Sequence, residues 1–178
     1  DRPDSIGKVK GFYGNFGVNL RAWTYIRLNG GDGLKAISEQ AVLNCNYLKH
    51  RLLPHYPMPF KQLRKHEFVL SGDNMKEHGL STRDIAKRLM DYGQHAPTIY
   101  FPLVVSEALM IEPTENESRE ALDDFADAMI AIAREAREDP DLLRGAPRTT
   151  GTSRADEVWS GKNLVLTWRI AGEKGLDR

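Results

Sequence analysis

Three acid–base groups stand out by residue type and position. His66 and Glu67 open a short β-prone run, HEFVL, and His95 precedes another, so each can face a cleft from a strand edge or turn. Histidine changes charge near neutral pH, which suits proton transfer. A packed or hydrogen-bonded structural histidine is the plainer alternative, because tuning a pKa requires neighbours that a sequence does not display. Glu112 and Glu115 flank Pro113–Thr114 and could act as an acid pair. Favourable charge at a helix N-terminus accounts for them more simply.

Other chemistries find little footing. Pro54 lies between His50 and His55, and neither Cys-x-x-Cys nor His-Glu-x-x-His occurs, which argues against a dedicated zinc site. There is no G-x-S-x-G nucleophile elbow. The lone Cys45 falls on an apolar helical stripe and reads as a small buried hydrophobe. The glycine–aromatic run GFYGNFG (residues 11–17) lacks both the P-loop Lys-Ser/Thr and a G-x-G-x-x-G spacing, so it reads as a loop that packs aromatics. Pyridoxal-phosphate chemistry needs an aldimine lysine and an acid facing the pyridine nitrogen. The lysines here lie on charged helix faces or in polar loops, and none follows a parallel strand in the required setting.

The elements that must position these groups follow from periodicity. Val18–Leu28 reads as a short helix broken at Gly30–Gly31. From Gly33, the positions Leu34, Ile37, Ala41, Cys45, Leu48 and Leu52 form one apolar stripe that Pro54 and Pro57 end. His66–Leu70 predicts a strand. Ser81 and Asp84 predict a helix start, with Gly93 as its stop. Pro97–Phe101 and Ala108–Glu112 predict two more strands. A Thr114–Glu117 capping box then opens a helix to about Glu138, with Leu122, Phe125, Met129 and Ile132 inward. Leu164–Trp168 predicts a last edge strand. The resulting β-α-β-β-α order predicts an α+β fold, a small mostly antiparallel sheet with helices packed on one face.

With 178 residues, 40% of them hydrophobic, the chain can bury a core without cross-links. Lys+Arg and Asp+Glu both total 25, which excludes the basic excess of a nucleic-acid-coating protein. No apolar stretch is long enough for a membrane span, and the first residues lack a signal-peptide core. A start without Met in mid-pattern predicts a processed or truncated product. The expected organisation is a helical connection over 1–60, a small domain over 61–140 and an extended C-terminal tail over 141–178. A fragment of this kind is expected to expose apolar surface and to self-associate.

Four stretches, in this order and spacing, resemble the P-protein family of the glycine cleavage system, the aminomethyl-transferring, decarboxylating glycine dehydrogenases. They are YGNFGVNLRAWTYIRLNGGDGLKAISEQAVLNCNYL (Tyr13–Leu48), HEFVL, DIAKRLMDYGQHAPTIYFP (Asp84–Pro102) and ALMIEPTENES (Ala108–Ser118). The tail with RADEVWSGKNLVLTW is similar to the end of the second subunit in split members. The resemblance implies the C-terminal small domain of a fold-type I enzyme that uses pyridoxal 5'-phosphate. Such an enzyme releases CO2 from glycine and passes the aminomethyl group to the lipoyl arm of an H-protein.

The resemblance also implies that the Schiff-base lysine lies upstream, so no catalytic residue and no bound cofactor are expected in this chain. Implied partners are the lipoyl H-protein and the remaining P-protein chain or subunit, in a homo-oligomer or heterotetramer, with no nucleic acid and no membrane. The implied location is a cytoplasm, or a mitochondrial matrix if the source is eukaryotic. His66, His95, Thr98, Glu112 and Thr114 are the cleft-facing candidates, because the family's motifs concentrate around them. Related aminotransferases hold a substrate carboxylate with an arginine from this domain, whereas the strand before Glu112 carries none. The rival readings are a stand-alone α+β regulatory or interaction domain, and the small domain of another fold-type I enzyme such as a cysteine desulfurase.

Overall fold

The computed structural model describes residues 2–8 and 11–175. Its longest element is α1 (Phe16–Leu52), whose first turn is capped by the Asn15 side chain accepting from the Val18 amide. Gly30 interrupts α1 with φ 65° and ψ −175°, a conformation essentially restricted to glycine. The break expected at Gly30–Gly31 is therefore a kink, with helix continuing directly on both sides. Beyond it, the stripe from Leu34 to Leu52 deepens from half-buried to fully buried. Before it, Phe16, Trp23 and Leu28 remain 78%, 60% and 81% exposed.

This kink gives a test free of packing effects. A Cβ at Gly30 or Gly31 would meet nothing within 4 Å. Gly30→Ala is expected to lower stability by about 1–3 kcal/mol through backbone strain alone. Gly31→Ala, with no positive φ, is expected to be neutral or mildly stabilising. Paired thermal melts compare the two, and equal shifts would deny the strain at Gly30.

After α1 come β1 (Phe68–Ser71), a 3-10 helix (Asp73–His78), α2 (Thr82–Asp91), β2 (Thr98–Ile99), β3 (Ala108–Ile111) and α3 (Arg119–Glu138). Three short helices follow: α4 (Pro140–Arg144), α5 (Glu157–Lys162) and α6 (Trp168–Glu173). The sheet order is β1-β3-β2, antiparallel throughout, with Phe68 opposite Ile111, Leu70 opposite Leu109 and Ile99 also opposite Leu109. Strand alternation places these side chains on one face. That face is buried apart from the half-buried Ile99, while Val69, Met110 and Thr98 on the other are half-buried or exposed. α3 packs against α1, α2 and α4, and it joins the sheet face in one core through Leu122, Met129 and Ile132. The α+β architecture is the one expected.

Two expected elements differ. The helix after Pro113 does not open with a Thr114–Glu117 capping box. It begins at Arg119, where the Ser118 hydroxyl accepts from the Ala121 amide. Asn44 of α1 causes the delay, because its amide donates to the Thr114 and Glu117 carbonyls at 2.8 and 3.3 Å and holds those residues in a turn. The edge strand expected at Leu164–Trp168 is also not formed. Thr167 instead caps α6 by accepting from the Ile170 amide at 3.3 Å. No described helix is long and apolar enough to cross a membrane.

Candidate functional site

A cleft of about 460 Å³ opens where the ends of β2 and β3 meet the first turns of α3 and Leu48 of α1. The strands deliver Thr98 and Met110, Glu112 follows the end of β3, and the link before β2 delivers Gln94 and His95. α3 adds Leu122, Asp124 and Phe125. Its floor is apolar and its polar edge carries Glu112, Glu117 and Asp124, with no lysine or arginine in the lining.

The five expected cleft residues are partly brought together. His95, Thr98 and Glu112 line the cleft. His66 does not, but its Nε2 lies 3.9 Å from a Glu112 carboxylate oxygen and 3.9 Å from one of Glu67. Thr114 is set apart from the lining. It is exposed, and its contribution is the carbonyl held by Asn44.

No local sequence signal singles out Asn44, Gln94 or Asp124. Asn44 is buried and bonds across to the turn that carries the rim, an arrangement 70 residues apart in the chain. Asp124 lies next to Phe125, off the inward stripe of α3, and no local pattern distinguishes it from a solvated acid. Burial pushes the Cys45 thiol up to about 11, in keeping with a packed hydrophobe and not a nucleophile. Tyr25, on the open half of α1, donates to Glu115 at 3.1 Å. That hydrogen bond, ahead of burial and of the carboxylate's charge, raises the phenol above its ordinary value.

The residues present do not fit a phosphorylated cofactor. Such a group needs cationic or amide donors around its phosphate and a lysine in reach of its aldehyde. The cleft instead presents carboxylates. Lys49, the buried lysine nearest this region in sequence to Leu48, is committed to the carbonyls of Lys61 and Gln62 at 2.6 and 2.5 Å. Among the described residues no cluster of His, Cys, Asp and Glu could hold a metal ion.

Residues 37–143 match the family described as "Glycine dehydrogenase, C-terminal domain". The probable glycine dehydrogenase (decarboxylating) subunit 2 of Bacillus velezensis is 58% identical over 99% of this chain and 35% of its own length. Its counterpart in Chlorobaculum tepidum is 58% identical over 93% of this chain and 34% of its own. A crystal structure of glycine decarboxylase (P-protein) of the glycine cleavage system, in inhibitor-bound form, superposes with a TM-score of 0.51 at 19% identity. That superposition covers 61% of this chain and 24% of the other, and it speaks for the fold. The chain thus spans about a third of the length of the curated relatives it matches.

Proposed function

Because the chain belongs to the glycine dehydrogenase (decarboxylating) family, as a C-terminal portion of its subunit 2, we propose that it forms one wall of that enzyme's substrate cleft. In this reading the complete enzyme releases CO2 from glycine and passes the aminomethyl group to the lipoyl arm of an H-protein. Pyridoxal 5'-phosphate and its lysine then belong to the part of the protein outside this chain. The other proposed partners are the remaining P-protein chain and further copies in a homo-oligomer or heterotetramer.

One observation carries this division of labour: the cleft is walled by Glu112, Glu117 and Asp124 with no cation among them. Carboxylates on a wall attract an ammonium group and repel a substrate carboxylate. A cation there would stabilise the carboxylate before it is lost. Binding the ground state as strongly as the transition state gives no acceleration. His95 and Thr98 supply hydrogen-bonding groups on the same wall. The exposed apolar side chains Phe12, Phe16, Trp23 and Leu28 supply a surface against which the rest of the enzyme would pack.

The test is reconstitution. The chain alone, mixed with pyridoxal phosphate, is expected to give no aldimine absorbance band and no glycine-dependent CO2 release. Full-length subunit 2 with its partner subunit and lipoylated H-protein is expected to give both. An aldimine band from the chain alone would overturn the assignment of the cofactor to the remainder.

A further inference from the structure

A second hollow, of about 430 Å³, lies on the outer side of α2, between Arg83 and Lys87 and a wall that includes Met90, Ile99 and Tyr100. Its two cations stand where the helix itself would not choose them. Arg83 occupies the first turn of α2, at the positive end of the macrodipole, where acids are favoured. Lys87 is four residues on, and like charges at that spacing repel. Helix stability therefore does not account for the pair, whereas an anion seated between them does.

In this chain that anion is Glu157, the first residue of α5. One carboxylate oxygen lies 3.1 Å from Arg83 Nη2 and 4.0 Å from Lys87 Nζ. The fit is incomplete. Arg83 Nε is buried and, among the described residues, has no hydrogen-bond partner. Arginine binds carboxylates best through two parallel N–H donors, whereas here Nη2 makes an ion-pair contact and Nε has no partner among the described residues. Leaving a buried donor unpaired is costly, so a carboxylate reaching Nε as well would bind better than Glu157 does. The helix bearing Glu157 is weakly held, with six residues and none of them buried. In the same hollow as the cations, Tyr100 is 44% exposed, which adds aromatic area to the surface.

We propose that Arg83 and Lys87 form a docking site for an acidic side chain of a partner polypeptide, with an apolar residue beside it. Glu157 of the chain's own α5 is the displaceable placeholder. This site lies on α2, apart from the carboxylate-walled cleft, and does not depend on the function proposed above.

The experiment is fluorescence anisotropy on the full chain, using a labelled peptide of residues 155–163 and a second peptide with Gln at the position of Glu157. Vacating the site with Glu157→Gln is expected to strengthen binding of the Glu peptide about tenfold, because the tethered competitor is removed. The Gln peptide is expected not to bind. Adding Arg83→Gln to Glu157→Gln is expected to abolish the signal, and Lys87→Gln to weaken it several-fold if the Arg83 variant fails to fold. Equal affinity of wild type and Glu157→Gln for the Glu peptide would overturn the proposal. So would equal binding of the two peptides. Displacement by inorganic phosphate at the peptide's own concentration would overturn it too, marking a free-anion site instead.

Discussion

Arg88→Ala is expected to destabilise the fold by about 3–5 kcal/mol at neutral pH. Arg88 Nε and Nη2 donate to the two Glu135 oxygens at 2.8 and 3.0 Å, and Nη1 donates to Asp91 at 3.0 Å. The Arg88, Glu135 and Asp91 side chains are only 15%, 14% and 2% exposed. Removing the guanidinium leaves two nearly buried carboxylates without their cation, and that uncompensated charge makes up most of the loss.

The pH dependence identifies the cause. Burial pushes Asp91 up, but the Thr149 and Arg148 amides, the Thr149 hydroxyl and Arg88 outweigh it and hold the carboxyl below its ordinary value. Glu135 is likewise pushed up by burial and held low by Arg88 and Tyr92. A carboxyl lowered by folding stabilises the native state while it is ionised. That contribution is complete above the ordinary carboxylate range near pH 4 and is lost as pH falls through the lowered values. Without Arg88 both groups titrate higher and escape the penalty by taking up protons. The gap between wild type and variant is therefore expected to narrow from pH 7 to pH 4, read as denaturant midpoints. Equal gaps at the two pH values would remove the ion pair from the explanation.

Ile132→Ala is expected to cost about 2–5 kcal/mol, as lost burial plus a cavity that α3 cannot close by moving. Ile132 is 0% exposed, as are Met129 beside it and Leu143 of α4. α3 packs against α1, α2 and α4 at once, so it cannot shift toward one neighbour without opening a gap at another. Arg134→Ala serves as the control on the same helix. Its i,i+4 pair with Glu138 is exposed at 3.8 Å, and an effect of at most about 0.5 kcal/mol is expected. Chemical unfolding of the two variants measures the contrast. A small loss at Ile132 would mean that the core is loosely packed there.

These two positions mark what could be read in the sequence. Ile132 falls on a 3.6-residue apolar period, a local signal that survives folding because the face it defines is buried by the same chain. The three strands follow from β-prone runs and the start of α2 from the Ser81–Asp84 cap, while the break that Gly30–Gly31 predicts is in the structure a kink within one helix. Arg88 and Glu135 are 47 residues apart, and each taken alone is an ordinary charge on a helix. Asn44 and the turn it holds are equally non-local, which is why the local capping-box pattern places the start of α3 too early. The β-prone letters of Leu164–Trp168 describe a preference, but pairing requires a free neighbouring strand, and the Thr167 hydroxyl was closer to hand. Of the cleft, His95 and Glu112 stand at the ends of β-prone runs, while Thr98 is singled out only by the family resemblance. The carboxylate character of its rim emerges only when α3 brings Asp124 alongside.

The outer strand of the sheet has a consequence for how this chain would come out of solution. β2 contributes only two residues, Thr98 and Ile99, and Pro97 and Pro102 bracket it. Proline cannot donate to a growing ladder, and so short an edge offers little template for fibril growth. At the opposite edge, the Ser71 amide is already taken by the Pro57 carbonyl at 2.9 Å. Association is then left to side chains such as Phe12, Phe16 and Trp23. Clumps formed that way are expected to be amorphous, to redissolve on dilution and to leave amyloid dyes dark.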